Sequence, residues 1–251
     1  MFQKPAKPSG QMIFGIRAVL EALHAGKEID KIFIQNGLKG ELIQELKDVL
    51  HQREVFINYV PIEKVNNLTR ANHQGVVAFM SPIVFADLEN LVPMIFEKGE
   101  TPLLVILDRV TDVRNFGAIV RSISCAGGHA VIIPARGSAQ INEDAVKTSA
   151  GALHNVPVCK IQNMKTAIHF LRECGVSVLA CTEKTDSLIF DADLKGPVAL
   201  LMGNEGEGIS PEYLKLADSR AKIPITGPIE SLNVSVATAI CLFEAVKQRL
   251  G

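Results

Sequence analysis

Between Pro102 and Gly251, short apolar runs alternate with helical segments, and this alternation restricts the chain more than any other feature. The runs PLLVILD, AVIIP, VPVCKI, VSVLACT, PVALLMG and AKIPI are brief and almost continuously apolar. A strand with one wet face alternates apolar and polar residues; a strand covered on both faces does not. Runs of this kind, separated by a helix starting at Asn115, by NEDAVKTSAGAL, by MKTAIHFLREC and finally by SVATAICLFEAVKQRL, predict an α/β domain built on a parallel sheet. Ligands of such sheets bind beyond the carboxyl ends of the strands. Three loops lie there: DRVTDVRNFGAIVRS after the first strand, GNEGEG after PVALLM, and TGPIESLNVS after AKIPI.

The N-terminal part has its own period. Ile16, Val19, Leu20 and Leu23 recur at helical spacing, and Gly26 can close that helix. KIFIQN, EVFINYV and GVVAFM read as strands, with an amphipathic helix over GELIQELKDVLHQR. The expectation is a small α/β domain over residues 1–80, a proline-bearing linker over 81–98, and a second domain over 99–251.

Composition excludes several classes. With 47% hydrophobic and 21% charged residues, and no apolar run near the length of a membrane span, the chain reads as a globular enzyme placed in the cytoplasm. MFQKPAKPSG lacks the apolar stretch of a signal peptide and reads as a flexible start. The five cysteines form no C-x-x-C pair and the six histidines are scattered singly, so no disulfide framework and no metal are expected. A net charge of −1 does not advertise nucleic acid, although a whole-chain sum can conceal a basic face.

Each loop has an ordinary structural reading beside a functional one. Asn115 can be a helix cap and Arg121 a surface arginine, while Gly117 allows close backbone approach. Against that, Arg109, Arg114, Arg121 and Arg136 gather near one strand edge, a surface suited to RNA phosphates. GNEGEG has the spacing G-x-x-G-x-G and follows a late strand, so it fails the dinucleotide fingerprint on both counts. Its two carboxylates, Glu205 and Glu207, sit where a phosphate's charge would go, which suits a neutral or cationic ligand better. Ser210-Pro211-Glu212 is a sound helix start, and Ser231 or Asn233 can cap the last helix.

Taken together, NFGAIVR from Asn115 to Arg121, then LMGNEGEG, then IPITGPIESLNVSVA resemble the three signature motifs of the SpoU (TrmH-like) class of the SPOUT methyltransferase superfamily, over residues 103–250. FGIRAVLEAL and NHQGVVA are similar to the small RNA-binding domain that precedes the catalytic domain in the subgroup methylating a guanosine of large-subunit ribosomal RNA. The resemblance implies a parallel-sheet domain with a C-terminal trefoil knot, a homodimer, S-adenosylmethionine as cofactor and RNA as partner. It carries cofactor binding to Met202, Gly203, Ile223, Ile225, Gly227, Leu232 and Asn233, and the catalytic role to Arg121, Asn115, Glu205, Ser231 and Asn233. A guanidinium is effectively always protonated, so Arg121 is read first as an electrostatic stabiliser of the developing 2′-alkoxide and not as a base. Three other readings compete: a transfer-RNA ribose methylase of the same class, which typically lacks the extra domain; a non-catalytic RNA-binding assembly factor, which has no need of all five polar residues; and a dinucleotide oxidoreductase, disfavoured by the loop spacing.

Overall fold

The computed structural model describes residues 11–251, so the expected flexible start, residues 1–10, lies outside the described residues. The chain divides into two compact units, residues 1–84 with 140–143, and residues 85–139 with 144–251.

The first unit is a four-stranded sheet in the order β1-β4-β2-β3, made of β1 (Met12–Phe14), β2 (Ile29–Gln35), β3 (Ile57–Val60) and β4 (Val76–Met80). β2 and β3 are parallel, and β4 runs antiparallel to both β1 and β2. Helices α1 (Ile16–His24) and α2 (Glu41–Gln52) supply one core layer through Val19, Leu20, Leu23, Ile43, Leu46 and Leu50. The opposite face is smaller: Phe33, Val60, Val77 and Phe79 pack with Val65 of α3 (Ile62–Leu68). β1 and α3 were not expected, being too short to show a period.

The second unit is a six-stranded parallel sheet in the order β10-β8-β9-β5-β6-β7. Its strands are β5 (Leu103–Leu107), β6 (Ala130–Pro134), β7 (Val158–Ile161), β8 (Ser177–Cys181), β9 (Val198–Met202) and β10 (Ser219–Ala221). The five residues of β5 and the five of β9 are all buried, which accounts for their unbroken apolar sequence. From β5 the chain builds outward through β6 and β7, then returns to β8 on the other side, and β9 fills the gap. The reversal lies between β5 and β9, and a crevice at their carboxyl ends is the site such sheets offer to ligands.

Four expectations need correction. Residues 88–97, placed in a linker, form helix α4 (Leu88–Glu97), whose Leu88, Leu91, Val92 and Ile95 belong to the core of the second unit. Proline suggested a break, but Asp87 caps the helix by accepting from Glu89 N, and Pro93 is accommodated inside it. The helix expected from Asn115 is α5 (Val113–Cys125), capped by Asp112 accepting from Arg114 N and Asn115 N. NEDAVKTSAGAL yields only a short α6 (Glu143–Thr148) and a separate 3-10 turn over Ala152–His154. The strand read in AKIPI covers just its first residue, because residues 222–225 leave the sheet. Three further helices complete the unit: α7 (Met164–Glu173), α8 (Pro211–Leu214) and α9 (Val234–Leu250).

Candidate active site

Three separated stretches meet at the β5/β9 crevice. After β5, Asp108 N donates to Met202 O at 2.8 Å and thereby ties the two strand ends together. The Asp108 carboxylate, 1% exposed, accepts from Ser210 N at 2.6 Å and from Arg109 Nε at 3.2 Å. Arg109 has a left-handed backbone, φ 57°, which a non-glycine residue adopts at a cost of about 1 kcal/mol or more. In that conformation its guanidinium donates to Gly208 O at 3.2 Å and pairs with Glu207. Burial lowers the Arg109 pKa, but the hydrogen bonds its guanidinium donates to Glu207 and Asp108, and their charges, outweigh it and hold the group above its ordinary value.

The GNEGEG loop folds back on itself. Asn204 Oδ1 accepts from Gly206 N at 3.0 Å and Glu207 N at 2.7 Å, while Gly208 N donates to Asn204 O at 3.1 Å. The turn brings the Gly208 and Ile209 backbone so close to residue 203 that a Cβ there would overlap it, so only glycine fits at Gly203. With those amides consumed internally, the loop offers little to an anionic phosphate.

Glu205 is the meeting point. Its Oε1 accepts from Asn115 Nδ2 at 2.9 Å and from Asn233 Nδ2 at 2.7 Å, and Asn233 Nδ2 also lies 3.0 Å from Asn115 Oδ1. The other side of the Asn233 amide caps α9, accepting from Ser235 N at 2.9 Å and from Ser235 Oγ at 2.6 Å. Asn233 therefore caps α9 and joins the cluster at once, because an amide has an acceptor end and a donor end. Asn115 is free for this contact because Asp112 performs the capping.

The other expected residues fall into two groups. Met202 ends β9, and Gly203 follows it. Ala221, Cys181 and Met202 are aligned across β10, β8 and β9, so the strand ends that lead to Gly203 and to Ile223 lie at the same sheet edge roughly two strand spacings, about 10 Å, apart. Leu232 directly precedes Asn233 and therefore borders the Glu205 cluster. Ile225, Gly227 and Ser231 lie in the exposed segment 224–233, where Ser231 makes no side-chain hydrogen bond among the described residues. Arg121 is exposed on α5 and lies outside the cluster, about 120° around the helix from Asn115.

Of the four arginines grouped from the sequence, Arg109 is thus an internal clamp and not part of an open RNA surface. The Asp108–Arg109 pair was missed as a structural device. A charged residue ending a buried strand at the sheet's reversal is the signal that could have found it. Among the described residues, no cluster of three His, Cys, Asp or Glu is suited to a metal, and no helix is long and apolar enough to cross a membrane.

Comparison with known proteins places this geometry in context. Residues 102–243 match the SpoU rRNA Methylase family, and residues 12–84 match the RNA 2′-O ribose methyltransferase substrate binding family. The chain is similar to the 23S rRNA (guanosine-2′-O-)-methyltransferase RlmB of Photorhabdus laumondii, at 37% identity over 95% of this chain and 98% of that protein. It is also similar to a putative TrmH family tRNA/rRNA methyltransferase of Staphylococcus haemolyticus, at 34% identity over 95% of this chain and 96% of the relative. Among solved structures, the AdoMet-bound rRNA methyltransferase of Sinorhizobium meliloti aligns with a TM-score of 0.62 at 28% identity, covering 96% of this chain and 88% of that one.

Proposed function

Because the chain belongs to the SpoU rRNA methylase family, we propose that it catalyses transfer of a methyl group from S-adenosylmethionine to the ribose 2′-oxygen of a guanosine in 23S ribosomal RNA. The observation that carries this reading is the hydrogen-bonded cluster Asn115–Glu205–Asn233, in which one residue from each of the three loops meets at the sheet's reversal.

The residues fit the cofactor. S-adenosylmethionine has no phosphate, so a loop whose amides serve Asn204 and whose carboxylates are already engaged by Asn115, Asn233 and Arg109 can lie beside it. Met202, Gly203, Ile223, Ile225, Gly227 and Leu232 would hold the adenosine with backbone and apolar contacts, and Asn233 would fix the loop around it. When bound, the cofactor supplies an activated methyl on a cationic sulfur. The chain must then align the acceptor and stabilise charge on its oxygen, and alignment of this sort is worth about 7–11 kcal/mol in well-oriented systems. Arg121 is assigned to the developing alkoxide, and Asn115, Glu205, Ser231 and Asn233 to orientation of the ribose and the cofactor loop. The unit over residues 1–84 is assigned to RNA binding, in keeping with the family its sequence matches.

A homodimer is part of the proposal. Val236, Phe243 and Leu250 recur every seven residues along α9 and are 47%, 49% and 84% exposed, an apolar stripe that a second copy would cover. A trefoil knot near the C-terminus and a cytoplasmic location complete the reading.

A transfer-RNA target is the second reading, favoured by the name of the Staphylococcus relative. Primer extension at low nucleotide concentration, on RNA from cells with and without the protein, decides between the two. The expected result is one stop lost from 23S RNA; a stop lost from transfer RNA alone overturns the ribosomal assignment.

A further inference from the structure

We propose that Arg114 binds a backbone phosphate of the RNA acceptor, forming with Arg121 a cationic rail along one face of α5; the inference rests on the RNA-methylating reading above. The rail emerges by elimination and by helix geometry. The crevice is rich in acid: Asp108, Asp112, Glu205 and Glu207 all stand within it or on its rim. A polyanion brought to such a place needs exposed cations to approach. Arg109 cannot serve, since its guanidinium is spent on Asp108, Glu207 and Gly208 O.

Arg114 and Arg121 differ from Arg109 in every respect that matters. Both are exposed, and among the described residues neither forms an ion pair. Seven residues of α-helix amount to nearly two turns, so the two side chains leave α5 within about 20° of each other, with Cα atoms about 10.5 Å apart along the axis. Surface arginines on helices are commonly offset by an acid three or four residues away, yet positions 110, 111, 117 and 118 around Arg114 are Val, Thr, Gly and Ala, and positions 117, 118, 124 and 125 around Arg121 are Gly, Ala, Ser and Cys. Asp112, two residues from Arg114, caps the helix and spends Oδ1 on the first-turn amides, that of Arg114 among them. Arg114 precedes Asn115 by one residue and its side chain leaves α5 about 100° around from that of Asn115, so a phosphate held there lies on the helix face that flanks the cluster. A guanidinium fork matches phosphate oxygens in two parallel hydrogen bonds, which a point charge cannot do.

The contact is tested through its salt dependence. Each phosphate neutralised on a single strand contributes about 0.7 to the slope of log affinity against log salt. Methyl transfer from labelled S-adenosylmethionine to unmodified, in vitro transcribed 23S RNA is measured across a salt series for the parent chain, Arg114→Gln, Arg114→Lys and Lys98→Gln. Lys98 is an exposed cation at the far end of α4 and serves as the control. The expected result is a severalfold higher RNA KM for Arg114→Gln with a slope shallower by about 0.7 to 1. Arg114→Lys should recover the slope but only part of the KM, and the cofactor dissociation constant without RNA should stay within twofold of the parent, which also reports an intact fold. An Arg114→Gln slope equal to that of the parent and of Lys98→Gln overturns the contact. Absence of methyl transfer by the parent chain is a separate result, and it brings down the functional reading on which the contact rests.

Discussion

At the scale of single residues, Asn233 makes the most separable prediction. Its carbonyl oxygen caps α9 and its amide nitrogen holds Glu205 and Asn115. Serine keeps a capping oxygen without the amide donor, so Asn233→Ser should retain thermal stability and lose most turnover. Asn233→Ala should lose both, with the missing cap costing about 1 kcal/mol. Thermal melts paired with methyl-transfer rates check this, and equal melting loss in the two variants would refute the division of labour. Arg121→Ala should abolish methyl transfer while the dissociation constant of S-adenosylhomocysteine, read by calorimetry, changes less than twofold; turnover near that of the parent would remove Arg121 from the reaction. At Gly203 the constraint is steric, since any Cβ meets the Gly208 and Ile209 backbone. Asn115, Glu205 and Asn233 were legible from the sequence because their loops carry recognisable motifs. The Arg109 clamp was not, because its meaning depends on which residue stands opposite it 98 positions later.

At the scale of elements, the end of α9 is held as firmly as its start. Arg249 donates to four carbonyls, those of Leu194, Thr101, Pro102 and Gly196, at 3.1, 3.0, 3.0 and 2.7 Å. Gln248 adds bonds to Leu194 N and Ala192 O. Since α9 carries Asn233 at its other end, this latch fixes the helix that presents part of the site. Arg249→Ala leaves partly buried carbonyls without donors and should cost about 2–3 kcal/mol in denaturant unfolding; a loss below half a kcal/mol would show that the latch is ornamental. Glu244 gives this region a pH signature. A hydrogen bond from Gln248 first, and Lys247 second, hold its carboxyl below the ordinary value against the opposing effect of burial. An acid with a lowered folded-state pKa stabilises the fold above its unfolded value, and that contribution disappears as pH falls through the lowered value. The parent should therefore be more stable than Glu244→Gln at neutral pH, with the gap closing on acidification. Strands and long helices were readable from period alone, whereas α4 was concealed by Pro93 inside it and by Met94 and Phe96, which interrupt the polar side carried by Glu89, Asn90 and Glu97.

At the scale of the whole molecule, the apolar stripe on α9 predicts self-association. Phe243→Glu should convert the particle to a monomer in sedimentation equilibrium, and because Leu232 beside the site is also exposed, methyl transfer should fall with it. A dimer that persists in this variant would locate the interface elsewhere. The order of apolar runs and the three loop motifs determined by themselves that a parallel sheet would form and what class of chemistry its edge would support, because burial on both faces and motif spacing are written locally along the chain. Tertiary structure alone decided how the motif residues are employed. Strand order 10-8-9-5-6-7 places β9 beside β5 across 90 intervening residues, and only that adjacency lets Asp108 and Arg109 clamp the late loop, lets Asn115 reach Glu205, and leaves Arg114 and Arg121 without partners. Hydrogen bonds act over about 3 Å of space and carry no trace of the chain length that separates their ends.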